Sequence, residues 1–331
     1  MLHKTDTHAF RDVWIGYIYG LQDHICRTLE GVDGKAVFAE DEWKREGGGG
    51  GGLTKVIAGG DVFEKGGVNT SVVWGQVTDT MRTQLKIEGG KWFAAGLSMV
   101  IHPLNPYVPT THANWRYFEL YDEDGLVTDR WFGGGSDLTP YYLFEEDARH
   151  FHRTLKNAMD PFGEELYPKY KHWCDEYFVN GHRDNEMRGI GGVFYDHLRP
   201  SDKPDAADAI AATSAADAAV PVPVSADRLL SFQKANGDAF LASYIPIVET
   251  RKALPYGPRE IEWQEIRRGR YVEFNLVHDR GTLFGLKTKG RTESILMSLP
   301  PRARWEYRYE PAAGSPEALL LDACRHPREW I

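Results

Sequence analysis

Along residues 8–30, HAFRDVWIGYIYGLQDHICRTLE, side chains recur near helical spacing at Val13, Tyr17, Leu21, His24 and Ile25. An amphipathic helix is predicted there, with Gly31 as its stop. VFAEDEW then reads as a short strand ahead of Gly47–Gly52. From 53 to 132 the chain becomes strand-like. KVIAGGDVFEKGGVNTSVVWGQV and KWFAAGLSMVIHP are β-rich runs broken by glycine, and ANWRYFELYDEDGLVTDRWFGGG turns as a hairpin at Glu123–Gly125. Strands that succeed one another without long helices predict an antiparallel sheet.

Helices take over after SDLTP, where Ser136 or Asp137 is expected to cap the next helix. FEEDARHFHRTLKNAMDPFG has acids first and bases last, as the helix dipole favours. EELYPKYKHWCDEYFV predicts a second helix, and RLLSFQKANGDAFLASYIPIVETRKA a third. Between these, residues 199–228 shift to Ala, Asp, Pro and Ser, the composition of a solvent-exposed insertion with little direct role in chemistry. RYVEFNLVHDRGTLFGLKT is expected to form two strands around Asp279–Gly281. TESILMSLPP and SPEALLLDACRHPREW complete an α+β layout.

Composition narrows the classes. The chain has 331 residues, 42% of them hydrophobic and 26% charged, as in a globular protein with a substantial core. A net charge of −9 argues against non-specific nucleic-acid binding. Three cysteines, far apart, exclude a disulfide framework or a thiolate zinc site and suit a reducing compartment. No run approaches the roughly 20 apolar residues of a membrane span, and the first residues lack a signal core, so a cytoplasmic address is expected. The six glycines at 47–52 read as a flexible loop, or as one that closes over a ligand. No Gly-Lys-Ser/Thr comes after them, which removes a phosphate-binding loop.

In a strand, His112, Asn114 and Arg116 would share one face, with Ala113, Trp115 and Tyr117 on the other. The polar face is either a surface meeting water or the floor of a cleft. A second stripe, Tyr271, Glu273, Asn275, Val277 and Asp279, lies near Arg267, Arg268, Arg270, Arg280, Lys287, Lys289 and Arg291. Such cations fit carboxylates or phosphates, although pairing with Glu260, Glu262 and Glu265 would account for part of the group. His150 and His152 are about 200° apart on a helix and cannot serve one site. His102, His112, His152 and His182 form a conceivable metal set, without the short spacing of a zinc helix.

Several strings go beyond generic chemistry. EKGGVNTS, HPLNPYVPTTHANWRYFE, WFGGGSDLTPYY, YKHWCDEYF, HRDNEMRGIGGVFYD, RRGRYVEFNLVHDRGTLFGL and RTESILMSLPP resemble the oxygen-dependent coproporphyrinogen III oxidases of haem biosynthesis. The resemblance covers nearly the whole chain outside 199–228. It implies one α+β domain over residues 1–331, a large flat antiparallel β-sheet flanked by α-helices on both faces, and a homodimer with residues from about Tyr271 to Trp305 involved. The implied reaction converts two propionates of coproporphyrinogen III to vinyls with O2 as co-substrate, giving protoporphyrinogen IX, CO2 and H2O2.

Carried over by motif, the catalytic candidates are His112 as acid/base, Asp279 and Arg280 against the macrocycle, and Asp137. Ser98, Asn114, Trp115, Arg116, Lys289, Gly290 and Arg291 would contact substrate. Lys289 and the insertion depart from the family pattern. A reaction with no required cofactor is favoured, since the ring is itself electron-rich; a divalent metal on His102, His112, His152 and His182 is the alternative. Also open are a metal oxygenase using His102, His112 and a carboxylate, a porphyrin carrier without turnover, and a structural dimer.

Overall fold

Alternation along residues 50–139 turns into long strands, one face of which buries apolar residues such as Val68, Leu97, Met99, Trp115, Tyr117 and Phe132. A computed structural model describes residues 4–85, 90–200, 225–287 and 290–331. The first helix, α1 (Lys4–Asp33), leads into β1 (Ala39–Lys44), β2 (Gly50–Ala58) and β3 (Phe63–Gln76). A short α2 (Asp79–Leu85), not expected from the sequence, precedes β4 (Lys91–Pro103), β5 (Thr110–Tyr121) and β6 (Val127–Thr139). Next come α3 (Glu145–Met159), α4 (Leu166–Tyr177), the small pair β7 (Val179–Asn180) and β8 (Glu186–Met187), and β9 (Gly192–Leu198). The chain ends with α5 (Ala226–Arg251), α6 (Pro258–Glu273), α7 (Arg280–Lys287), α8 (Thr292–Leu296) and α9 (Pro316–Arg325).

The main sheet is antiparallel, in the order β1-β2-β3-β4-β5-β6-β9. This is the α+β architecture expected. One face of the sheet buries Leu97, Ala113, Trp115 and Tyr117 with Trp14, Ile18 and Leu21 of α1 and Phe240 of α5. Polar ties fix that packing: Trp14 Nε1 donates to Ala95 O at 3.0 Å, and Gln22 Nε2 to Leu53 O and Val68 O at 2.9 and 2.7 Å. The other face is covered by α6 to α8. There Asn69 Nδ2 donates to Ser294 O at 2.9 Å, and Lys65 Nζ to Leu299 O at 2.8 Å. β1 is the open edge, with nearly every residue exposed, whereas β9 is buried beside α4.

Four local expectations are corrected. Helix α1 runs through Gly31 and stops after Asp33, because Gly34 takes φ +78° and returns its N–H to Glu30 O at 2.9 Å. Only part of the glycine run is a turn: Gly50–Gly52 lie in β2. Bare positions are needed there, since a Cβ on Gly50 would stand 2.9 Å from the Trp74 ring and one on Gly52 2.6 Å from the Trp43 ring. Ser136 and Asp137 belong to β6 and cap nothing; α3 begins after Phe144 with no side-chain cap.

The fourth correction is the largest. Residues 270–287 are not two strands but the end of α6, a π-turn over Phe274–His278, and α7. Burial at Trp263, Arg267, Tyr271 and Phe274 keeps a helical period. Of the expected insertion, residues 201–224 lie outside the described residues. Its flanks are ordered by Arg199 Nε, 2.9 Å from Asp129 Oδ1, and by Ser225, which caps α5.

Helices α1 and α5 cross closely at Gly237, where an added Cβ would stand 2.2 Å from the Tyr17 hydroxyl and 2.9 Å from Leu21 Cδ2. Gly237→Ala should therefore destabilise the fold by about 1–3 kcal/mol through overpacking. A lowered melting temperature checks it, and an unchanged one removes the close crossing.

Candidate active site

Strand register builds the floor of a cleft of about 2690 Å³ between the sheet and the helices. Asn69, Ser98, Asn114 and Gly135 stand in one cross-strand row. Ser71, Gly96, Arg116 and Gly133 form the next, and Val73, Ala94, Phe118 and Trp131 the one after. His112 pairs with Asp137 at the near end. Most of these side chains are small, so the middle of the floor is flat. Ligand pockets for drug-sized molecules are roughly 300–1,000 Å³, so the cleft suits a larger, flat ligand.

His112 Nδ1 lies 2.7 Å from Asp137 Oδ1. The other Asp137 oxygen accepts from Arg188 Nη2 at 2.6 Å, and Arg188 Nη1 donates to Asn275 Oδ1 at 3.1 Å. Phe178, Tyr271 and Phe274 surround this guanidinium at 4.2, 4.7 and 5.0 Å. Burial alone would raise the Asp137 carboxyl, but Arg188 and His112 outweigh it and hold the group below its ordinary range. As an anion Asp137 can only accept, so Nδ1 of His112 is the donor in this bond and its Nε2 is turned away from the carboxylate.

Asp279 sits where α7 begins. Its Oδ2 accepts the Thr282 N–H at 2.7 Å, an N-cap, and its Oδ1 accepts from the Tyr177 hydroxyl at 3.0 Å. Arg280 lies over the Tyr177 ring at 4.8 Å. Arg116, Arg188 and Asp279 all line the same cleft. Tyr177 stacks on Phe194 with centroids 4.2 Å apart, forming one wall.

The family model for coproporphyrinogen III oxidase matches residues 14–330. The chain belongs to the coproporphyrinogen III oxidase family. It is thus an oxidoreductase family member of haem biosynthesis, and coproporphyrinogen III, a flexible ring bearing carboxylates, suits the cationic flat-floored cleft.

Of the residues singled out from the sequence, Ser98, His112, Asn114, Arg116, Asp279, Arg280, Gly290 and Arg291 line this one cleft, and Asp137 reaches it through His112. The stripe at 112–116 is therefore cleft floor. Trp115 departs from the expectation: strand alternation turns its indole into the opposite core, fully buried against Phe240. Lys289 lies outside the described residues.

The four histidines are not brought together. His102 shares the cleft face of β4 but is roofed over; Nε2 meets Ser298 O at 2.9 Å, Nδ1 meets Thr110 Oγ1 at 3.2 Å, and Tyr271 packs edge-on. Burial and the Arg268 charge hold it neutral, well below its usual pKa. His152 is enclosed between Tyr167 Oη and Ile190 O, at 2.9 and 3.2 Å. His182 contacts His278 at 2.7 Å and Glu273 at 3.0 Å. Both ring nitrogens of these three are engaged by protein. Among the described residues, no group of three or more His, Cys, Asp or Glu is arranged to hold a metal. The donor set does not fit a four-histidine centre, nor one built on His102 and His112.

The cationic segment divides as well. Arg267 and Arg268 are buried pairs of Glu186 and Glu64, and Arg270 pairs with Glu273, not with the nearby acids at 260–265. Arg280, Lys287 and Arg291 face the cleft. Sequence reasoning missed Arg188 and Tyr177. An arginine inside the apolar and glycine run MRGIGGVF was the available signal for the first.

Arg188→Met would strand a buried carboxylate, and should cost about 3–5 kcal/mol at pH 7. Urea unfolding measures this, and a loss under 1 kcal/mol would show that Asp137 is not held by Arg188. His152 is pushed by burial to about 3. Its unfolded ring titrates near 6.5, so stability is present above that pH and is lost as pH falls toward 3. From pH 7 to pH 5 this residue alone should remove about 2 kcal/mol. That component should be missing from His152→Asn; an equal pH response in the variant would refute it.

Proposed function

We propose that the chain catalyses the oxygen-dependent oxidative decarboxylation of two propionates of coproporphyrinogen III to vinyls, giving protoporphyrinogen IX. For each propionate, one O2 takes two electrons and becomes H2O2. The β-carbon loses a hydrogen, the bond to the carboxylate breaks to release CO2, and the remaining electron pair forms the vinyl double bond. The observation that carries this reading is the meeting of Asp279 with Arg116, Arg280 and His112 over a flat floor.

In this reading, Arg116, Arg280 and Arg291 bind propionates, with Ser98 and Asn114 beside them. Asp279 keeps lone pairs free after its Tyr177 and Thr282 bonds, and accepts pyrrole N–H groups. It thereby favours positive charge on the ring as electrons leave. His112 takes or returns a proton at Nε2 during hydrogen loss. The electron-rich ring supplies the reducing power, and the protein supplies orientation and placed charge. No cofactor enters these steps.

Leu276, Val277, Trp305 and Tyr307 expose apolar surface, which suits a homodimer interface over this segment. The three cysteines are free and buried, as suits the cytoplasm, and among the described residues no helix is long and apolar enough to cross a membrane.

Chelator-treated protein given coproporphyrinogen III should form protoporphyrinogen in air and none without O2. Product that appears only after a metal is restored would overturn the cofactor-free reading, and binding without product would favour a carrier. Asp279→Asn keeps the cap on α7 but removes the charge. It should lower kcat at least about 100-fold with an unchanged melting temperature; near-normal turnover sinks the role given to Asp279.

A further inference from the structure

Where β6 pairs with β9, Phe132 faces Leu198 and Gly134 faces Tyr195, so Asp196 and His197 together oppose Gly133. This is a β-bulge, and His197 takes φ +53° within it, a conformation uncommon outside glycine. The bulge turns both side chains onto the cleft, where the imidazole stacks on Trp131 at 5.1 Å. Asp196 Oδ1 accepts the His197 N–H at 2.8 Å, and its Oδ2 lies 2.8 Å from Arg116 Nη2. Gly133 makes room for the pair: a Cβ there would stand 2.5 Å from Asp196 Oδ1 and 2.8 Å from Arg116 Nε.

The central arginine of the floor is thus already opposed by a built-in carboxylate, while its Nη1 donates to Asn114 Oδ1 at 2.8 Å. An arginine shaped only for a tight grip on propionate gains nothing from such a neighbour, which repels the incoming carboxylate. A site that must treat two propionates of one ring needs a grip that lets go. We propose that Asp196 is a positioning residue that weakens the hold of Arg116 on a propionate, so that the macrocycle is released and turned between the two decarboxylations. The inference rests on the oxidase reading above.

Coproporphyrin III, the oxidised tetracarboxylate that cannot react, is the probe. Titration by fluorescence should show Asp196→Asn binding it about 10-fold more tightly than the parent chain, the change expected when an opposing charge is removed. Asp196→Glu, which keeps the charge, should bind as the parent does. The tightening should vanish when Arg116→Gln is added. In turnover, Asp196→Asn should accumulate the intermediate with three propionates and one vinyl. Asp196→Ser removes the same charge, so the sign can be read from either variant. Equal or weaker binding in both, or loss of fold in both, would overturn the proposal. The titration needs no catalysis, so an inactive parent chain would refute the oxidase reading and leave the affinity comparison intact.

Discussion

A carboxylate from a strand and a guanidinium from the segment after β8, both out of water, tie the sheet to the helices that wall the cleft. Asp137 and Arg188 meet 2.6 Å apart with almost no exposure. Around them pack Phe178 from the end of α4 and Tyr271 and Phe274 from the α6 end. Desolvating two charges costs about as much as their attraction returns, so the pair is poorly explained as a source of stability. What it does is set direction. It holds the proton on Nδ1 of His112 and sets the distance between floor and wall.

The floor imposes a second constraint. Glycine, alanine and serine on one face of central strands weaken a sheet, because they pack little and lose much entropy on ordering. The opposite face compensates with Leu97, Met99, Trp115 and Tyr117, all fully buried against α1 and α5. Each strand thus has a heavy side that holds the fold and a light side that leaves room for a flat ligand. Period-two alternation makes the division possible, and it also explains why Trp115, between two cleft residues, cannot reach the ligand.

How much of this was legible depended on the distance over which each contact acts. The β5 stripe, the hairpin at Glu123–Gly125 and the helices α1, α3, α4 and α5 arise from local periodicity and were readable. The 271–279 segment was misread because its β-branched and aromatic residues mimic a strand while the burial period is that of a helix. The run MRGIGGVF marked Arg188 as unusual, but its partner is 51 positions away, so the pairing could not be read from local sequence. The face of His102 was inferable, but its roof, Ser298, comes from 196 residues along the chain. Asp279 was found from its motif, yet its cap on α7 could not be seen while the segment was taken for strands.

A broad, flat antiparallel sheet invites a second sheet to add to any free edge, which bears on solubility. Here β9 is shielded by α4, and only β1 is open among the described strands of the main sheet. That strand reads Ala-Glu-Asp-Glu-Trp-Lys, with Glu40 paired to Lys55 and Asp41 to Arg291. A stray strand docking on this edge would meet a line of acids and would have to break ion pairs that reach back across the fold. The same Asp41 anchors an arginine at the rim of the cleft. The edge that discourages aggregation therefore also holds part of the cleft rim in place.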